Sequence, residues 1–375
     1  ILRCQVESGL PYCLNKDAAN ATSNQQNLGT IRNSNLCAEI TEYSDHHQTS
    51  VCNLASLALS RFVKQGAFDH REFHLFVQQV VEALDQMLDM CAYPVEDART
   101  TNMRDRPLGV GVQGLADLFI ALRHPFESPE ARRLNRHVFE TMYHAALTAS
   151  VRLAEQKGKY ESYAGSPVSN GILQFNMREG PGEAPKDSSG LWDWAELRRG
   201  IRQHGLRNSL LIALMPTCST SQILGCNESF QPINSNIYTR KTAAGAFVCV
   251  NRRLVKDLQA LNMWSRELKD RIIVEDGSIQ RIAEIPEDVR TLYKTIWEIK
   301  QKACIDLAAD RAAFVCQSQS MNLFLPVHSL RKLSAMLMYA WEKRLTTMSY
   351  YVHVRVEAKA VQVTTEPALC EGCTA

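Results

Sequence analysis

Leu210-Leu211-Ile212-Ala213-Leu214-Met215 is an unbroken apolar run, and it limits what this chain can fold into more than any other segment. It is short for a buried helix and has no polar face, so it fits a strand covered on both sides, as in parallel sheets flanked by helices. The covering helices are legible too. Asp69 and Glu72 form a capping-box pattern ahead of Phe73, Phe76, Val77, Val80, Leu84, Met87, Leu88 and Cys91 at helical spacing, and Pro94 ends that segment. Ser128-Pro129 opens a second amphipathic stretch that runs from Leu134 to Leu153, with Gly158 where a C-cap belongs. Pro286 opens a third, carried from Val289 to Ala303, and Leu330, Leu333, Leu337 and Trp341 mark a fourth. Tyr350 to Val356 alternates as a strand. Long helices interleaved with short strands define an α/β chain. Gly158 to Trp194, rich in Gly, Pro and Ser, reads as long connections, and no internal repeat is evident.

With 375 residues, 45% of them hydrophobic, the chain can bury a large core. Its 42 Lys and Arg nearly balance 40 Asp and Glu, without a like-charge run that would grip DNA or RNA, so no nucleic-acid partner is expected. No stretch reaches the roughly 20 apolar residues of a membrane-spanning helix, and Ile1 to Leu10 lacks a signal-peptide layout; a cytoplasmic protein without membrane contact is expected. Twelve cysteines do not imply a disulfide scaffold, because that device belongs to short chains with small cores. Cys4, Cys13, Cys91, Cys249, Cys304 and Cys316 are expected as buried free thiols acting as small apolar side chains.

Cys37 stands apart. In Asn35-Leu36-Cys37-Ala38-Glu39 an amide, a thiol and a carboxylate recur at alternate positions, and an extended segment would put all three on one face. On its own, the stretch could equally hold one more buried thiol. Cys52, in Val51-Cys52-Asn53-Leu54, would pass for a core cysteine without Cys37 upstream. Cys370-Glu371-Gly372-Cys373 invites a zinc reading, but a structural zinc needs four ligands and no second pair lies nearby. No metal site is therefore assigned, and thiol exchange is the better reading. Thr217-Cys218-Ser219-Thr220-Ser221 offers hydroxyls and amides suited to phosphate at a helix N-terminus, with a polar turn as the plain alternative. Gly109-Val110-Gly111-Val112-Gln113-Gly114 matches the dinucleotide fingerprint literally, yet residues 101–107 do not read as the strand that must precede it. His46-His47 reads as a solvated loop with diverging rings.

Several of these segments occur together. Ser23 to Thr30, the Cys37 segment, Arg106 to Asp117, Pro216 to Gly225, and Tyr350-Tyr351 follow one another in an order that resembles the large, catalytic subunit of class I ribonucleoside-diphosphate reductases. The resemblance runs to about Thr365 and covers that subunit's C-terminal portion. It implies the later strands and helices of a ten-stranded α/β barrel over residues 1–357, then a flexible tail over 358–375. The regulatory nucleotide domain and a further active-site cysteine have no counterpart in these residues, so the chain is expected to be incomplete and inactive alone.

Roles follow from the resemblance residue by residue. Cys37 would be the thiyl-radical cysteine that removes hydrogen from the substrate 3′-carbon, Glu39 the base for the 3′-hydroxyl, and Asn35 a hydrogen-bond partner of the sugar. Cys52 would be one of two cysteines oxidised to a disulfide as the 2′-hydroxyl leaves. Cys370 and Cys373 would reduce that disulfide and be reduced in turn by thioredoxin or glutaredoxin. Tyr350 and Tyr351 would relay the radical from a metal-containing small subunit, so that this chain itself binds no cofactor. Thr217, Cys218, Ser219 and Thr220 would hold the diphosphate of a ribonucleoside diphosphate, although Cys218 and Cys226 depart from the family pattern. A homodimer of the whole large subunit is implied. A cobalamin-dependent class II reductase would share Cys37 and the tail dithiol but needs no tyrosine relay; a diverged, non-catalytic binding subunit is the other alternative.

Overall fold

In the computed structural model, residues 1–242 and 244–355 are described. Cys370 and Cys373 lie outside them. The centre of the fold is a set of mostly parallel ribbons. Asn53–Ala58 pairs in parallel with Leu108–Gln113, in register from Asn53 opposite Leu108 to Ala58 opposite Gln113. The apolar run at 210–215 lies against the second of these: Leu108 N–H donates to Leu210 O at 2.9 Å and Ala213 N–H to Val110 O at 3.1 Å. On its other side Leu214 N–H donates to Ser318 O (3.0 Å) and Ser320 N–H to Leu214 O (2.9 Å). The run is buried throughout, as a strand covered on both faces must be. Its two neighbours engage it at different residues, however, so it forms single bridges (Val110 with Ile212, Leu214 with Gln319) and no continuous ladder. Leu323–Leu325 and Val352–Val354 add another parallel pair.

Helices cover these ribbons. His70–Met90 begins where expected, with the Asp69 carboxylate accepting from Glu72 N–H at 2.9 Å. The Glu72 carboxylate does not complete a capping box; it pairs with Lys64 at 2.8 Å. Pro129–Lys157 is capped by Ser128 and ends at Gly158, whose φ of 85° suits glycine. Leu330–Glu342 also matches its pattern. The third expected helix is two, Glu287–Leu292 and Gln301–Ala312. Between them backbone groups are drawn to other partners: Asn236 Nδ2 donates to Tyr293 O at 3.0 Å, and Ile296 N–H donates to Ile233 O at 2.7 Å. The Gly-rich connection after Gly158 carries only short turns and the helix Gln174–Glu179 before Trp194.

Asp85 on helix His70–Met90 anchors the start of the 108–113 strand. It is buried and meets Arg106 Nε at 2.8 Å, Asn208 Nδ2 at 3.1 Å and Lys157 Nζ at 3.3 Å. Of the six cysteines expected to be buried, Cys316 is, with its sulfur accepting from Leu211 and Ile212 N–H at 3.1 Å each. Cys13, Cys91, Cys249 and Cys304 are half-buried and Cys4 is exposed, because helix Leu2–Ser8 turns Gln5 and Val6 inward instead. No helix among the described residues is long and apolar enough to cross a membrane.

The two longest helices meet through histidines. His74 Nε2 and His144 Nδ1 lie 2.9 Å apart, with Trp192 stacked on His74 at 4.1 Å. Burial above all pushes His70, His74 and His144 down to about 4. The unfolded chain binds protons at these sites near pH 6.5, which the folded chain refuses until about pH 4. Their contribution to stability is therefore whole above pH 6.5 and lost as pH falls towards 4. Amide protection factors of helix His70–Met90, taken relative to the intrinsic exchange rate at each pH, should fall as pH drops across that window, and His74→Gln should flatten the slope; protection factors that do not change with pH would contradict it.

Candidate active site

Cys37 sits in a turn, not in an extended segment. Ala38 N–H donates to Asn35 O at 3.2 Å, and Ala38 has a φ of 64°, which breaks the alternation expected from the sequence. Asn35 and Glu39 still converge, by a different route. The Asn35 amide oxygen accepts from Ile40 N–H at 3.1 Å and closes the loop, while the Asn35 side chain also hydrogen-bonds the Glu39 carboxyl. Burial raises the affinity of Glu39 for its proton, and hydrogen bonds from Asn35 and Ser320 pull the other way. A buried carboxyl so balanced can accept a proton from a hydroxyl placed against it.

A loop of this kind has no strand partner, so its polar groups must be met by other segments. Ser320 Oγ donates to Cys37 O at 2.6 Å, Thr347 Oγ1 to Ala38 O at 2.6 Å, and Ser318 N–H to Glu39 O at 2.9 Å. Thr41 N–H donates to Gln317 Oε1 at 3.0 Å. The segment Gln317-Ser318-Gln319-Ser320 thus frames the Cys37 loop. Sequence reading passed over it, though a polar Gln/Ser alternation set between Val315-Cys316 and Leu323-Phe324-Leu325 was a visible signal.

Cys52 precedes the Asn53–Ala58 strand, and its sulfur lies 3.7 Å from Gln317 Nε2. Burial, then the charge of Glu42, pushes its thiol well above the ordinary range. The first two glycines of the dinucleotide-like motif, Gly109 and Gly111, stand inside a strand, where they make room, and Gly114 precedes helix Leu115–Ala121. A Cβ on Gly109 would fall 2.4 Å from Leu54 Cδ2 and 2.9 Å from Cys52 Sγ; one on Gly111 would fall 2.6 Å from Met215 Sδ and 2.8 Å from Ala213 O. Close approach, not phosphate binding, accounts for these two.

Tyr350 and Tyr351 fall between the strands Thr347–Ser349 and Val352–Val354. The break in the pleat brings their rings together at 4.6 Å, where ideal alternation would put them on opposite faces. Tyr12 completes a cluster, 4.6 Å from Tyr350 and 5.0 Å from Tyr351. Nothing local in the sequence singles out Tyr12. Burial, then hydrogen bonding with Cys37, holds the Tyr350 phenol far above its usual value, and burial pushes Tyr12 up to about 12. Tyr350 thus joins the ring cluster to the Cys37 thiol.

Thr217 is buried, and its hydroxyl accepts from Ser229 N–H at 2.7 Å without capping the following helix, Cys218–Leu224. Cys218, Ser219 and Thr220 form the exposed first turn of that helix. Cys218 lies 3.7 Å from Glu228, and burial, then the Glu228 charge, raises its thiol above the ordinary value. Cys226 approaches Gln113 Oε1 at 3.8 Å. His46 and His47 are exposed as expected, but their rings lie 3.8 Å apart and do not diverge. No cluster of three or more metal-ligating side chains occurs among the described residues.

The Cys37 loop, the ribbons and the tyrosine cluster thus meet in one region. Residues 1–351 match the family described as the ribonucleotide reductase barrel domain, and the chain belongs to that family. It is 52% identical to the ribonucleoside-diphosphate reductase large chain of Encephalitozoon cuniculi, over 99% of this chain and 48% of that protein. It is also 52% identical to the large chain of Schizosaccharomyces pombe, over 98% of this chain and 44% of that one. The fold is similar to the solved Actinobacillus ureae class Id ribonucleotide reductase alpha subunit, with a TM-score of 0.75 and 26% identity over 94% of this chain and 60% of the other. The chain spans about half the length of the curated relatives it matches.

Gly109→Ala tests the packing beneath Cys52. Overpacking of this kind costs about 1–3 kcal/mol, and the Cys52 sulfur should be displaced. Chemical denaturation and the alkylation rate of Cys52 read the two effects; a neutral substitution would show that the strand has slack.

Proposed function

We propose that this chain carries the catalytic chemistry of a ribonucleoside-diphosphate reductase large subunit. The contact of Tyr350 with Cys37 at the end of a three-ring cluster is the observation that carries this reading. A radical delivered by a metal-containing small subunit passes through Tyr351 to Tyr350, which takes the hydrogen atom of the Cys37 thiol. The thiyl radical then removes the substrate 3′-hydrogen while Glu39 takes the 3′-hydroxyl proton and Asn35 orients the ring. The 2′-hydroxyl leaves as water. Two electrons come from Cys52 and a second cysteine outside these residues, which form a disulfide, and Cys37 finally returns the 3′-hydrogen. Cys370 and Cys373 reset the disulfide by exchange, and thioredoxin or glutaredoxin resets them. The large subunit acts as a homodimer.

Ser219, Thr220 and Cys218, exposed on the first helical turn, face the diphosphate. Thr217 shapes that turn through Ser229. The ring cluster favours this class I reading over a cobalamin-dependent one, in which the radical arises beside Cys37 and needs no relay.

In the full-length protein with a competent small subunit, Cys37→Ser should reduce turnover to background with substrate affinity retained. Tyr350→Phe and Tyr351→Phe should do the same, because phenylalanine keeps the ring volume and loses the oxidisable phenol. Deoxynucleotide formation by Cys37→Ser would refute the role of the thiol. Activity retained in both tyrosine variants would favour the cobalamin-type reading.

A further inference from the structure

Glu42 lies beside this site, and the chemistry above makes no use of it. It is 4% exposed, and both carboxyl oxygens are sealed from solvent without a hydrogen bond of ordinary geometry. A buried charge without partners is costly, so a carboxyl kept in such a place tends to be neutral or to have a task. Cys52 and Gln317 approach it closely enough for weak polar contact. Asp105, at the end of helix Glu96–Asp105, and Cys316 lie within electrostatic range of it, as Glu39 does of Cys52. None of these groups is a cation; the cation Arg104 pairs with Asp105 at 2.6 Å.

Gln317 sets the arrangement. Its Nε2 donates to Leu108 O at 3.0 Å and lies 3.7 Å from Cys52 Sγ, while its Oε1 holds Thr41 N–H, next to Glu42. The side chain therefore ties the sulfur, the strand beneath it and the Glu42 segment into one cluster. Burial above all pushes Glu42 up to about 7, with Asp105 adding to the rise and the Cys52 and Gln317 contacts opposing it. Burial and the charge of Glu42 keep Cys52 well above the ordinary thiol range. Of the two neighbours the carboxyl is the stronger acid, so a proton moves downhill from Glu42 to a Cys52 thiolate and not the other way.

We propose that Glu42 is the proton donor to Cys52, protonating the Cys52 thiolate that departs when a disulfide containing Cys52 is reduced. A thiolate of the reducing dithiol attacks the other sulfur of that disulfide and forms a new S–S bond. The old bond breaks, and its electron pair stays on Cys52. The Glu42 proton converts this thiolate to a thiol, leaving a carboxylate that water reprotonates. The inference rests on the reading of Cys52 as redox-active, and it adds a residue that resets the site without touching the substrate.

The test uses the full-length protein, oxidised by turnover and then reduced with dithiothreitol between pH 5.5 and 9, with rates normalised to the dithiol's thiolate. In the wild type the normalised rate should fall above about pH 7 as Glu42 ionises, by about tenfold for each pH unit. Glu42→Gln, neutral and of the same size, should give a flat profile at least about tenfold slower at pH 6. A wild-type profile in that variant overturns the proposal. A second measurement does not depend on turnover. Removing the Glu42 charge should shift the pH at which iodoacetamide alkylates Cys52 downwards, by about one unit, and an unshifted profile shows that the two groups do not communicate, which also overturns it. Peptide mapping of the oxidised protein separates the premises: absence of any Cys52 disulfide in the wild type refutes the redox reading itself, whatever the alkylation profile shows.

Discussion

The constraint on which the site depends is the backbone of residues 37–41, which leaves the regular ribbons and must still have its polar groups met inside the protein. The 317–320 segment and Thr347 meet them. Ser320 and Thr347 take up the carbonyls of Cys37 and Ala38, Ser318 that of Glu39, and Gln317 the amide of Thr41. The same segment bonds to Leu214 at the centre of the ribbons. The Cys37 loop is thus fixed to the most buried part of the molecule although it has no regular structure of its own. Under the proposed function such rigidity matters, since a displacement of about 1 Å can cost about a hundredfold in rate.

Two other devices supply precision. The Asp85–Arg106 pair locates the start of the 108–113 strand, and removing one partner of so buried a pair costs about 3–5 kcal/mol. Gly109 then lets Cys52 and Leu54 lie directly on that strand. A chain of contacts therefore runs from an ion pair on the outer helix layer to the sulfur of Cys52. The polar cluster of Glu42, Gln317 and Cys52 sits at the end of it, in surroundings dry enough to shift both titrating groups upwards.

Much of the layout was legible. Helix His70–Met90 and helix Pro129–Lys157 announced themselves by capping residues and apolar spacing, because both signals act over a few residues. The split between Leu292 and Gln301 was not legible, because the bonds that enforce it reach across the fold to Ile233 and Asn236. Cys37 was visible through its neighbours, yet the reason it meets Glu39 and Asn35 was misread as pleating when a turn at Ala38 does the work. For the Gly109 motif, the missing strand before it already argued against a phosphate loop, but only packing against Cys52 and Met215 explains why the glycines are there.

The sequence by itself determined helices His70–Met90, Pro129–Lys157 and Leu330–Glu342, the buried ribbon at 210–215, and which thiol and tyrosines stand out, since these depend on composition and short-range spacing. Tertiary structure decided which distant groups share one volume. Tyr12 joins Tyr350 and Tyr351, Glu42 and Gln317 join Cys52, and Ser320 joins Cys37, all across separations at which a chain carries no local signal of contact. The physical reason is that burial and hydrogen-bond satisfaction are properties of the packed molecule. A carboxyl or a phenol acquires its altered proton affinity only when other segments exclude water from it.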